Sequence, residues 1–468
     1  MNIQPPTVGP IVGYTPADQV RIWLRGDFQP TPDGYRRCFG VAHLKGPNDT
    51  KFGPPRYIKL APYFDMTGVC AFTQLQPETL YDYEAGWFFA ETELDNLDET
   101  QELNWSKAAR GTFRTGTDDD SKIRSYVIGS CRYLLKLFGG LIFDERGDKT
   151  FSSILRQIKD RPVDGLIMVG DQIYADDLNF LSPDVGVDQF LERYRATFSQ
   201  PNLRQLMSQV PTYMILDDHE IEDNWPSKAT DKDRVILYPS AMHSYQIYQC
   251  SHSPLFGLDQ QNRVTGTPDR FWYGFQDGCC DWFVMDVRTE RSWADDVNQR
   301  RMVSDEQMTA LLKWLSDGSG LVKMIVSSVP FFPDLKSDSE DKWTGFVPER
   351  TKILDFIFEK KIRKVVFVSG DVHCSMSAEL RTSQDPDFKV ISIISSSFFW
   401  PYPHMDPGGF VLAGRIKSNS ANEYVVVNPS EVFSTDNFGR MDIAPDAISV
   451  SFFQRKGDAL GAPVRRQF

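Results

Sequence analysis

Four short apolar runs in this chain each stop abruptly at side chains that bind metals or phosphate, and this repeated junction limits the fold more than any other feature. "YVIGSCRY" ends at Cys131 and Arg132, and "LIMVGDQIYADD" at Asp171 and Tyr174. "YMILDDHEIEDNW" ends at Asp217, Asp218, His219 and Asn224, and "VVFVSGDVHC" at Asp371 and His373. Runs that are apolar on both faces and separated by helical segments read as strands of an α/β sheet. In open α/β sheets ligands bind outside the carboxyl ends of the strands, so the four tips are expected to meet in one place.

The chain has 468 residues, too many for one ordinary core, and two domains are expected. From residue 10 to about 116, segments such as "QVRIWLRGD", "RRCFGVAHL" and "LYDYEAGWFF" alternate with period 2 between turn residues. They predict an antiparallel β-sandwich, with Tyr81 or Tyr83 in "LQPETLYDYEAG" as a tyrosine corner of the fibronectin type III kind. "GTDDDSKIR" is a polar break, so the expected division is 1–117 and 118–468. "DQFLERYRATF", "AMHSYQIYQC", "DEQMTALLKWLSD" and "PERTKILDFIFEKK" carry apolar residues at helical spacing, and the tail returns to strand-like pieces.

Net charge is −13, which opposes broad contact with nucleic-acid phosphates and leaves a small phosphate ester, nucleotide or diester as the expected partner. No apolar stretch approaches the roughly 20 residues that span a bilayer. Neither an export signal nor a regular cysteine framework is visible among the seven cysteines. A cytoplasmic location is expected for the chain as written, or a secreted or periplasmic one if a signal was removed.

Carboxylates, a phenol, a thiol, imidazoles and an amide drawn together raise one another's pKa values unless cations intervene. Hard oxygen donors suit calcium, magnesium or manganese, whereas thiolate, tyrosinate and carboxylate suit a trivalent iron or another transition ion. The mixed set therefore predicts more than one metal. Activated water attacking phosphorus is the chemistry such a site serves. Arg132 is the candidate fork on the phosphoryl oxygens, and His219 the candidate general acid or orienting imidazole, with His373 a third candidate.

These residues resemble the alkaline phosphatase D family, the PhoD-like metallophosphoesterases. "IGSCRY", "GDQIYADD", "LDDHEIEDNW", "FWYGFQDG" with "MDVRTER", "SSVPF", "DKWTGFVPERTKIL" and "SGDVHCSMSAEL" follow in the family's order over most of residues 110–385. The resemblance implies an α/β fold, a metallophosphatase αββα sandwich preceded by an all-β fibronectin-III/Ig-like domain. It implies phosphomonoesterase or phosphodiesterase activity at neutral to alkaline pH. It also implies iron(III) held by Cys131, Asp171 and Tyr174, with Asp171 bridging to a calcium-type site of Asp218, Asn224 and Asp371. Mn, Mg, Zn and Co are the alternative ions. "GDQIY" is similar to the "GDxxY" of purple acid phosphatases. "DDHE" and "GDVH" depart from the "GNHE" and "GHxH" of general metallophosphoesterases, which leaves Asp218, Asp371 and His373 open between the two metals.

Blander readings apply to the neighbours. Of Asp217 and Asp218 one is expected to be structural, and Glu220, Glu222 and Asp223 belong to a solvated loop or a helix cap. Asp286 and Arg288 read as an ion pair beneath the site. Trp343 and the run "SSSFFWPYPH" are candidate walls, and His43, His243, His252 and His404 lie outside the motifs. A second reading makes the chain a catalytically silent binding or adhesion protein that uses its N-terminal sandwich. The intact donor set argues against it, since buried carboxylates are costly to keep together.

Overall fold

The computed structural model describes residues 1–97, 102–134, 136–137, 140–141, 145–177, 182–337 and 340–468. Period-2 alternation in the first part builds seven principal strands: β1 (Val8–Val12), β2 (Gln19–Arg25), β3 (Cys38–Lys45), β4 (Arg56–Leu60), β5 (Thr67–Thr73), β6 (Leu80–Phe89) and β7 (Ala109–Arg114). β1-β2-β5 form one sheet and β4-β3-β6-β7 the other. Val20, Ile22 and Leu24 meet Cys38, Leu44, Tyr81 and Phe113 in the core between them. Tyr81 is the corner residue, its hydroxyl accepting the N–H of Gln76 at 2.9 Å. Tyr83 instead donates to the carbonyl of Ser208, outside the sandwich.

The following region alternates strands and helices. In chain order its main elements are β8 (Arg124–Gly129), α1 (Glu145–Asp160), β9 (Gly165–Val169), α2 (Val187–Phe198), α3 (Pro201–Met207), β10 (Thr212–Ile215) and α4 (Tyr238–Tyr245). Then come β11 (Tyr273–Asp277), β12 (Cys280–Val284), α5 (Asp305–Leu315), β13 (Val322–Val326), α6 (Val347–Glu359), β14 (Val365–Ser369), β15 (Met376–Thr382) and β16 (Asp385–Ile394). The tail adds β17 (Gly414–Arg415), β18 (Val425–Val427), β19 (Asn437–Ile443), β20 (Ala447–Gln454) and β21 (Ala459–Gln467). Two sheets result, ordered β10-β9-β8-β19-β20-β21 and β11-β12-β13-β14-β16-β15-β18-β17.

Side-chain alternation explains how these sheets stack. On β14, Val366 and Val368 enter the core that contains Val127, Ile167 and Met441 of the other sheet. Val365 and Phe367 point the opposite way, onto Leu311 of α5 and Ile353 and Leu354 of α6. On the far side, Phe151 and Ile154 of α1 and Leu203 and Leu206 of α3 cover the first sheet. The architecture is the expected helix–sheet–sheet–helix sandwich preceded by an all-β domain. α1 and α3 carry apolar faces that the sequence analysis did not single out.

The sandwich is seated firmly on this body. Val8, Ile11, Trp23 and Val69 belong to the same apolar core as Phe190 and Leu203. Trp23 Nε1 donates to the carbonyl of Ile247 at 3.0 Å, and Asp65 accepts from Arg25, Arg195 and the Tyr248 hydroxyl. Among the described residues no helix is long and apolar enough to cross a membrane.

Candidate metal centre

Register brings the tips together. β8, β9 and β10 run parallel, so the residues after them leave one edge of the first sheet side by side. β12, β13 and β14 run parallel in the second sheet. Each edge is tied within itself, Cys131 N–H to Gly170 O in the first and Gly370 N–H to Ser328 O in the second, and Asp371 N–H to Ser130 Oγ joins the two. Gly170 is required here. Its φ is +89°, and a Cβ on it would lie 2.5 Å from Asp217 Cβ.

Three groups of possible ligand atoms form at this junction, each with its atoms within 4.8 Å of one another: Cys131–Asp171–His373, Asp171–Asp218–His219 and Asp217–Asp218–Asp371. Cys131 Sγ and the Tyr174 hydroxyl both lie 3.3 Å from Asp171 Oδ2, and Tyr174 is 3.4 Å from His373 Nε2. His219 holds Asp176 through Nδ1 at 2.8 Å. Asn224 donates its backbone N–H to Asp218 at 2.6 Å. A cleft of about 430 Å³ opens beside them, lined by Asp218, His219, Asn224, Lys342, Asp371 and His373, with Trp400 stacked on His373.

The donor set fits a cation. Asp171 Oδ1 and Asp217 Oδ2 are buried without a hydrogen-bond partner, which an ordinary polar network does not leave. Burial, then the charge of Asp171, pushes the Cys131 thiol well up. Burial with Cys131 and Asp171 does the same to the Tyr174 phenol, and burial raises Asp171 itself. In the bare chain the thiol and the phenol therefore stay protonated, and their ligand forms need a positive partner. Burial works against an imidazolium at His219, but Asp176, Asp218 and Asp171 outweigh it and hold the pKa well above the ordinary range.

The profile of a family described as PhoD-like phosphatase matches residues 143–452. The chain belongs to that family. This PhoD-like chain is 26 % identical over 226 residues to alkaline phosphatase D of Bacillus subtilis (strain 168), covering 42 % of itself and 36 % of that protein. The alignment thus spans little more than a third of the curated relative. The fold is similar to that in a solved structure of PhoD, with a TM-score of 0.70 at 16 % identity over 99 % of this chain and 92 % of the other. It is also similar to a purple acid phosphatase from yellow lupin (Lupinus luteus) seeds, with a TM-score of 0.58 at 11 % identity over 97 % and 73 % of the two chains. At these identities the two likenesses show the fold.

Cys131, Asp171, Tyr174, Asp218, His219, Asn224, Asp371 and His373 of this PhoD-like chain all lie at the junction. Arg132 does not reach the cleft. Its guanidinium is buried over the Phe151 ring and donates to Gln200 Oε1 and the Thr197 carbonyl, tying β8 to α2 and α3. The strand ends at Gly129 and Cys131 turns through the left-handed region at φ 57°, so the next side chain is directed into the helix layer. His373 sits among the ligand atoms, and no described bond singles it out as a proton carrier.

Among the neighbours, Glu220 meets the helix-cap expectation by closing a capping box with Asp217, and the others depart from theirs. Glu220 is a buried clamp, accepting the N–H groups of Asp171, Gln172 and Asp217, so it fixes two ligand-bearing turns at once. Arg288 pairs with Asp217, Asp218 and Asp341, while Asp286 only accepts backbone N–H and Thr289 bonds. Trp343 is buried and donates to Ser327 Oγ, whereas Trp400 walls the cleft. Lys342, Asp176 and His404 escaped the sequence reading. Each lies inside a quoted stretch, Asp176 in "GDQIYADD", Lys342 in "DKWTGFVPERTKIL" and His404 at the end of "SSSFFWPYPH".

Proposed function

We propose that this chain hydrolyses phosphate esters in the cleft beside Asp171, using bound cations. The observation that carries the reading is that Asp171 belongs to two donor groups, one with a thiol and one with Asp218 and an imidazole, both reaching a cleft sized for a small molecule through His373, Asp218 and His219. Cys131, Asp171, Tyr174 and His373 would hold iron(III), and Asp171, Asp218 and Asn224 a calcium-type ion. Such ions, when bound, generate a nucleophile from water at neutral pH and neutralise phosphoryl oxygens.

The remaining work falls to the chain. Glu220 and Gly170 fix the turns, Trp400 holds the His373 ring, and the buried walls keep bulk water from the donors. Asp176 orients His219 through Nδ1, leaving Nε2 to give a proton to the departing ester oxygen. The Arg288 guanidinium pairs with both Asp217 and Asp218; it outweighs burial at Asp218, whose pKa lies below the ordinary carboxylate range, whereas burial still raises Asp217.

Turnover of nitrophenyl phosphate and its bis-nitrophenyl ester, with and without a chelator, tests this and also separates monoesterase from diesterase action. Stripping the metals is expected to abolish turnover, and Asp171→Asn to lower it by at least about 100-fold. Elemental analysis should find iron plus a divalent ion, with a visible tyrosinate-to-iron band that disappears in Tyr174→Phe. Full activity in metal-free protein would end the reading.

A further inference from the structure

The three donor groups differ in what surrounds them. Among the described residues Asp171, common to the first two, has no lysine or arginine within ion-pair distance. The third group, Asp217–Asp218–Asp371, is ringed by cations that the chain itself supplies. Arg288 pairs through Nε with Asp217 and lies 3.3 Å from Asp218 Oδ1. Asp341 pins that guanidinium from the other side at 2.7 and 2.9 Å. Lys342 Nζ stands 2.6 Å from Asp371 Oδ2 and 3.0 Å from Asp341 Oδ2. Arg291 completes the set on Asp341.

Charge counting shows what this does. Arg288, Arg291 and Lys342 offset three of the four carboxylates Asp217, Asp218, Asp341 and Asp371. One carboxylate remains, and Asp218 belongs also to the group of Asp171 and His219. A divalent ion in the third group would need oxygens at roughly 2.0 to 2.6 Å. Lys342 Nζ already stands at such a distance from Asp371, and a second cation there meets like-charge repulsion. Unlike the forked arginines, an ammonium is a compact point charge with three donors, the side-chain group nearest to a bound ion in size and field. It is buried, yet its residue lines the cleft.

We propose that the Lys342 ammonium takes the place of a third bound cation, so that the centre loads two ions, both at the groups sharing Asp171. Lys342 then presents to the cleft a positive charge that chelators cannot remove. This inference rests on the phosphatase reading above.

Metal content per chain tests it, measured by elemental analysis on folded wild-type protein, Lys342→Ser, Lys342→Gln and Lys342→Arg after dialysis against calcium and iron. Wild type and Lys342→Arg are expected to hold two ions. Lys342→Ser, which opens space and removes the charge, is expected to hold one further divalent ion. Lys342→Gln keeps the shape, offers an amide oxygen, and serves if the serine variant does not fold. Three ions in the wild type, or two in the wild type and in each folded neutral variant, overturn the proposal while leaving the phosphatase reading intact. A wild type with no ions refutes both.

Discussion

At the scale of single residues, the site is assembled from backbone that side chains normally avoid. Cys131, Asp171, Asn224, Asp371 and His373 all have φ between 51° and 71°, in the left-handed region where non-glycine residues are uncommon. Such conformations cost about 1–3 kcal/mol each and persist where the surroundings over-determine them. Here Glu220, Gly170 and the laced strand tips do so. His219 is the residue whose role is most open to measurement. If it gives the leaving oxygen its proton, His219→Gln should slow hydrolysis of an alkyl phosphate by about 100-fold or more. A nitrophenyl ester, whose leaving group needs no proton, should lose far less. Equal losses on both substrates would instead make His219 a ligand. Sequence reading found the ligand-type residues because each follows an apolar run at once. It missed Lys342 and His404 because neither follows a strand, and it misjudged Arg132 because the left-handed turn at Cys131, which directs the next side chain into the helix layer, is not legible in the residues.

At the scale of elements, the joint between β1, β2 and the helical turn after α4 holds a buried imidazole. His252 is fully buried, its carbonyl accepts the N–H of Tyr14, and its Nε2 lies 3.2 Å from the Tyr248 carbonyl. Burial, with nearby Arg21 acting in the same direction, lowers its pKa from 6.5 to about 4. The unfolded chain therefore binds this proton more readily than the fold does. Its stability contribution is complete above pH 6.5 and is lost as pH falls toward 4, by roughly 3 kcal/mol in all. Asp277, raised by burial to about 6, acts in the opposite sense, so the comparison must be between variants. Tm measured against pH should fall less steeply in His252→Gln than in the wild type, and an unchanged slope would exclude this histidine. Elements themselves were legible to differing degrees. Period 2 marked the sandwich strands, and both-face apolar runs marked β9, β10 and β14. α1 reads as a charged stretch, "ERGDKTFSSILRQIKD", whose apolar stripe becomes evident once Phe151 and Ile154 are seen against the sheet.

At the scale of the whole molecule, the N-terminal sandwich and the αββα body share one core through Val8, Ile11, Trp23 and Val69. Trp23→Ala removes a fully buried ring and its bond to Ile247, and should cost about 3–5 kcal/mol. Because the core is shared, thermal unfolding should remain a single transition at lower temperature. Two separated transitions would mean that the sandwich folds by itself, as a freestanding adhesion module requires. Pairing along the first sheet has another consequence. β8, which leads to Cys131, is flanked on one side by β9 and on the other by β19, with Arg124 opposite Ile443. During synthesis at about 5–20 residues per second, the ribosome needs on the order of tens of seconds to travel from one to the other. Throughout that interval the nascent chain carries a half-finished sheet with an unsatisfied edge, a template open to wrong pairing until the tail arrives.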